Sequence, residues 1–197
     1  MDKDKELYLF AGPNGSGKST LVRQFEKNGE CPETYICPDM IVQPDKRDDI
    51  GAYLAAMDKA EKQRTNEVEH GRPFAFESVM SNNGKLEFLK YAKAKGYKIT
   101  VVYVTTTSPE INAERVKIRV GKGGHDVPKD KIFDRYYKSL ANLPKAYELA
   151  DVFYLYDNSG YAPVLVLKRS DDKTYFNPTY LSSDWANEYV IGPLALL

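Results

Sequence analysis

The segment Gly12-Pro13-Asn14-Gly15-Ser16-Gly17-Lys18-Ser19-Thr20 constrains the fold of this 197-residue chain more than any other. It matches the pattern G-x-x-x-x-G-K-S in full. An apolar run, Leu7-Tyr8-Leu9-Phe10-Ala11, precedes it, and a helix-compatible stretch from about Lys18 to Lys27 follows. In a strand–turn–helix unit of this kind, successive backbone N–H groups curl around an anion that faces the helix N-terminus. A Cβ at the curl would obstruct it, hence the glycines. The pattern predicts that Gly12 to Thr20 wrap a nucleotide polyphosphate, that Lys18 reaches its β and γ phosphates, and that Ser19 coordinates Mg²⁺. ATP (or GTP) with magnesium is the implied cofactor. The bland alternative is a glycine-rich turn that binds nothing.

The rest of the chain alternates short apolar runs with longer amphipathic stretches, as a parallel sheet with crossover helices requires. Strands are expected at 34–37, at 74–76 ending on Glu77, at 99–104, at 152–156 and at 164–167. Helices are expected at 48–69, with Ile50, Leu54 and Met57 on one face, at 85–95 and at 109–120. Ser108 is the expected N-cap of the last of these, with Pro109 in its first turn. A further helix runs from Pro128 to about Leu149, bending before Pro144. Ile132, Tyr136, Leu140 and Leu143 form its buried stripe, with Arg135, Lys138 and Asn142 on another face. The reading is α/β, one P-loop kinase domain over 1–197, with the tail from 172 to 197 unassigned.

Composition narrows the function. Lys plus Arg and Asp plus Glu number 28 each, so the basic excess needed to coat nucleic acid or an anionic membrane is missing. Nucleic acid is therefore an unfavoured partner. Cys31 and Cys37, with only His70 and His125 beside them, make neither a disulfide framework nor a structural zinc set. The polar segment 1–6 does not read as a signal peptide, and no apolar run approaches the ~20 residues that span a bilayer. A cytoplasmic location is expected.

Ligands of an open parallel sheet sit at the carboxyl ends of its strands. Asp39 and Glu77 fall there, and one carboxylate to take an acceptor proton plus one to organise Mg²⁺ is what phosphoryl transfer needs. The alternatives are a turn cap for Asp39 and a solvated strand end for Glu77. Between 115 and 135, Arg115, Arg119 and Arg135 flank Gly121, Gly123 and Gly124. Guanidinium groups suit the charge that spreads over a transferring phosphoryl, so this stretch is an expected lid. A solvated basic face pairing with Glu110, Glu114 or Asp134 is the other reading, and His125 is expected to pack in a turn.

Taken in order, A-G-P-N-G-S-G-K-S-T at 11–20, Pro38-Asp39, F-A-F-E-S-V-M-S at 74–81, R-V-K-I-R-V-G-K-G-G-H-D-V-P at 115–128, I-F-D-R-Y-Y-K-S-L at 132–140 and L-Y-D-N-S-G at 155–160 resemble the zeta-toxin family of P-loop kinases, particularly its shorter members. The resemblance implies ATP-dependent phosphorylation of a small acceptor, UDP-N-acetylglucosamine being the family's best-known one. It implies Asp39 as base, Arg119 and Arg135 as the paired arginines at the transferring phosphate, and Asp157 and Asn158 near the nucleotide base. Glu77 and Ser78 would border the acceptor, and a separate antitoxin would be the partner of toxin members. Where the sugar-nucleotide kinase carries Gly and Thr after the strand-three glutamate, this chain has Ser78, Val79 and Met80. Other readings are a nucleotide-binding regulatory module, a slow NTPase, or a polynucleotide kinase.

Overall fold

Apolar side chains on both faces of the first strand demand cover from both sides. The computed structural model describes residues 5–43, 46, 49–124, 126–171 and 173–196. In it, β1 (Glu6–Ala11) lies between β3 (Phe74–Ser78) and β4 (Lys98–Thr105), parallel to both, with Leu9 opposite Phe76 and Val101. β2 (Tyr35–Ile36) joins outside β3, and β5 (Val152–Asp157) outside β4, again parallel. β6 (Val164–Ser170) and β7 (Lys173–Phe176) then extend the sheet antiparallel, giving the order β2-β3-β1-β4-β5-β6-β7. The expected parallel sheet thus holds for five strands; the expected strand at 164–167 joins it antiparallel, and β7 lies in the segment left unassigned. A short turn joins β5 to β6, and a parallel return needs a long crossover.

Helix α1 (Lys18–Asn28) packs Leu21, Val22 and Phe25 on Phe10, Ala75, Val102 and Val104. Phe25 also meets Phe10 and Tyr154 edge-on, and such a buried aromatic contributes roughly 1.5–3 kcal/mol. Residues of α3 (Ile50–Glu69), α4 (Gly84–Ala94) and α6 (Lys129–Leu149) share the larger core with Leu7, Leu9, Phe74, Phe76 and Val101. The stripe Ile132, Tyr136, Leu140, Leu143 is buried as expected, and α6 runs unbroken through Pro144. Asn142 is buried too, donating to Met80 O at 2.9 Å, so it does not sit on a polar face.

Helix α3 turns a different side inward. Ile50, Leu54 and Met57 are exposed, while Ala56, Ala60, Arg64 and Val68 are buried. Small alanines let the helix approach the sheet, and the Arg64 guanidinium lies over the Phe76 ring at 5.1 Å. Asp49 caps this helix, accepting from Ala52 N at 3.1 Å. Ser108, in contrast, stands at the N-cap of α5 (Pro109–Val120) without a side-chain capping bond. The tail is part of the fold: Trp185, Ala186, Val190 and Ile191 are buried in the larger core. No described helix is long and apolar enough to cross a membrane. His125, and Asp48 at the expected start of α3, lie outside the described residues.

Candidate active site

The phosphate loop takes its shape from three glycines in left-handed conformations, Gly12 (φ 139°), Gly15 (φ 76°) and Gly17 (φ 101°). Neighbours crowd each one. A Cβ at Gly12 would fall 1.9 Å from Val104 O, at Gly15 2.5 Å from Asn112 O, and at Gly17 2.2 Å from Asn158 Nδ2. Two asparagines pin the loop: Asn112 Nδ2 donates to Asn14 O at 2.6 Å, and Asn158 Nδ2 to Ser16 O at 2.8 Å. Asn112 is itself fixed by the Thr106 hydroxyl. Lys18 Nζ lies across the turn, donating to Gly12 O and Pro13 O at 2.8 and 3.0 Å. Burial lowers its pKa, partly offset by the Glu77 and Asp39 charges. The Ser16 hydroxyl is buried without a partner among the described residues. An orphaned hydroxyl, a half-satisfied ammonium and a cradle that a Cβ would fill suit a polyphosphate.

The strand tips add the acids. Asp39 falls not on β2 but in the single turn α2 (Pro38–Ile41) behind it, and Glu77 lies within β3. One ligand atom each from Cys37, Asp39 and Glu77 lie within 4.8 Å of one another. The Ser19 hydroxyl donates to Glu77 Oε2 at 3.5 Å. Burial, with the Glu77 and Asp39 charges, pushes the Cys37 thiol up to about 12, so it stays protonated and points to Glu77 Oε1 at 3.5 Å. The remaining donors are hard oxygens, a set that suits Mg²⁺ rather than a thiophilic metal.

Two tyrosines that sequence reasoning missed complete this side. The Tyr35 phenol bonds Glu77, and burial drives its pKa far up. The Tyr53 phenol bonds Asp39, and burial with that carboxylate pushes it up to about 12. Both remain protonated donors. In sequence they read as ordinary strand and helix aromatics; only α3 folding back on α2 brings Tyr53 to Asp39. Ser78 is engaged in a turn, its hydroxyl accepting from Met80 N at 3.1 Å and its carbonyl from Gly12 N at 3.1 Å. Met80 takes a left-handed φ of 59° there.

The arginines divide. Half-buried Arg135 reaches the loop, Nη1 to Asn14 Oδ1 at 3.4 Å. Arg119 is exposed in the last turn of α5, backed by Gly124, and its charge acts on Lys18. Arg115 turns away, donating to Ser159 O and Gly160 O at 3.5 and 3.3 Å. Asn158 points into the loop backbone from behind. Asp157 beside it accepts from the Ser159 hydroxyl at 2.5 Å and the Tyr180 hydroxyl at 2.8 Å.

A five-stranded parallel core with a phosphate loop between β1 and α1, and acids at the neighbouring tips, defines a P-loop kinase-type phosphotransferase. The chain belongs to the zeta toxin family, whose profile matches residues 1–170. An uncharacterised protein of Haemophilus influenzae is 34% identical over 129 residues, 65% of this chain and 90% of that protein. Among solved structures, a chain of the PezAT chromosomal toxin–antitoxin system of Streptococcus pneumoniae superposes with a TM-score of 0.64 at 15% identity, covering 96% of this chain and 80% of that one. A chain of the AvrRxo1-ORF1:ORF2 structure with ATP gives 0.70 at 13% identity, covering 90% of this chain and 62% of that one. At these identities the two structures attest the shared fold.

Proposed function

We propose that this protein transfers the γ-phosphoryl group of ATP (or GTP), with Mg²⁺, to a hydroxyl of a small acceptor. The observation that carries the reading is the convergence of Asp39, Glu77 and Ser19 beside a phosphate loop whose lysine senses both carboxylates. Gly12 to Thr20 bind the phosphates, and Lys18 moves from the loop carbonyls to the β and γ oxygens. Ser19 and Glu77 would hold magnesium, which when bound would supply charge neutralisation at the phosphates. Asp39, steadied by the Tyr53 phenol, accepts the proton of the acceptor hydroxyl. Arg119 and Arg135 close over the transferring group and offset its charge. Asn158 serves the nucleotide by bracing the loop at Ser16 O, and Ser78 borders the acceptor through the turn it shapes.

UDP-N-acetylglucosamine is the first acceptor to assay, given the family. The Ser78-Val79-Met80 turn makes a different acceptor worth testing in parallel. A separate antitoxin protein is the proposed partner, by analogy with the toxin–antitoxin neighbour. The test incubates the protein with ATP–Mg²⁺ and candidate metabolites and reads products by phosphorus NMR and mass spectrometry. Asp39→Asn should nearly abolish transfer while ATP still binds. Wild-type turnover in that variant removes Asp39 as the base, and ATP binding with no acceptor phosphorylated favours a regulatory module.

A further inference from the structure

A second concentration of positive charge lies away from the phosphate loop, between α3 and α4. Arg64 is 3% exposed, its guanidinium over the rings of Phe76 (5.1 Å) and Phe88 (5.8 Å). Its Nε is buried and has no hydrogen-bond partner among the described residues. Lys85, in the first turn of α4, stands beside it, and burial together with the Arg64 charge lowers its pKa. Both cations approach the same oxygen, Glu61 Oε2, at 3.9 Å from Arg64 Nη2 and 3.8 Å from Lys85 Nζ. Those separations are ion pairs beyond hydrogen-bond length. Asn83, the N-cap residue of α4, makes no side-chain capping bond, and the first N–H of the helix, at Gly84, donates to Asn82 Oδ1 at 3.1 Å.

One carboxylate therefore faces two cations, and among the described residues the buried Arg64 Nε is left unmet. Burying such a group is unfavourable unless something completes its bonds. Glu61, with a side chain 67% exposed, meets both cations only beyond hydrogen-bond length. We propose that this cluster is an oxyanion site in which Arg64, Lys85 and the first turn of α4 hold a phosphate group carried by the acceptor, displacing Glu61. Phe76, beneath Arg64, directly precedes Glu77 in β3, and Lys85 opens the helix that follows the Ser78–Met80 turn. Assigning the anion to the acceptor rests on the kinase reading; the existence of the site does not.

The experiment first saturates the phosphate loop with a non-hydrolysable ATP analogue and Mg²⁺, and failure at that step counts against the loop reading alone. Inorganic phosphate is then titrated while the Arg64 Nε–H signal is followed by ¹H–¹⁵N NMR. A saturable shift is expected, with affinity reduced about tenfold in Lys85→Gln, as for loss of one charge-assisted hydrogen bond. Glu61→Gln should act in the opposite sense and tighten phosphate binding, because it removes the competing carboxylate. The Lys85 and Glu61 side chains are 24% and 67% exposed, and the amide spectrum of each variant checks that it is folded before phosphate is added. A signal that phosphate does not move, or a Glu61→Gln variant that binds more weakly, overturns the site. If the shift appears but the kinase shows no preference for a phosphorylated acceptor over its dephosphorylated form, the assignment to the acceptor is overturned.

Discussion

Gly17→Ala and Asn158→Ala should damage the same contact, so their effects should overlap rather than add. At Gly17 the new methyl group would sit 2.2 Å from Asn158 Nδ2 on a residue with φ 101°. The backbone strain costs about 1–2 kcal/mol. Moving Asn158 aside forfeits its bond to Ser16 O, worth about 1–3 kcal/mol once the buried carbonyl is left unpaired. Gly17→Ala alone should therefore cost about 2–5 kcal/mol, and Asn158→Ala alone about 1–3 kcal/mol. In the double variant the clash has gone and the bond is lost only once, so its cost should match that of Gly17→Ala by itself. The coupling is about 1–3 kcal/mol. Urea denaturation of the four proteins measures it, and nucleotide titration should show the same pattern in affinity. Strictly additive losses would refute the account of how β5 braces the loop.

Other outcomes follow from the same geometry. Tyr53→Phe removes a donor to the Asp39 carboxylate and should lower kcat about tenfold, the scale of one charge-assisted bond, with the Kd for ATP unmoved. A changed Kd with normal kcat would show that Tyr53 serves the nucleotide instead. Burial lowers the Lys18 pKa in the free protein, and bound phosphates would raise it again. Between those two values binding takes up a proton, so ATP affinity should fall as pH rises into the alkaline range. Calorimetry in buffers of differing ionisation enthalpy checks the uptake, and an affinity that grows with pH contradicts it. Phe25→Ala should destabilise by about 3–5 kcal/mol, because that ring joins α1 to both Phe10 and Tyr154; a denaturation midpoint equal to wild type would contradict the packing.

Local signals made much of this protein legible. The glycine spacing fixes a turn whose positive φ angles the structure repeats at Gly12, Gly15 and Gly17. The β-branched run at 99–104 forms the long strand β4. What stayed hidden depends on contacts distant in sequence. Asn112 and Asn158 look like ordinary polar residues until the fold sets them against Asn14 and Ser16. The period of Ile50, Leu54 and Met57 is helical, yet it does not say which side faces the sheet. Small Ala56 and Ala60, with Arg64 over an aromatic ring, turned inward instead. The tail passes through short helical turns of changing pitch, so Trp185 and Val190 reach the core without a constant period to announce them.

The most direct measurement is a calorimetric titration of ATP, with and without Mg²⁺, into the wild-type protein and Lys18→Ala. One saturable site is expected, strengthened by magnesium and weakened at least about tenfold when the ammonium is removed. No heat of binding in the wild type, or an affinity indifferent to Lys18, would contradict the claim that this turn holds a nucleotide by its phosphates.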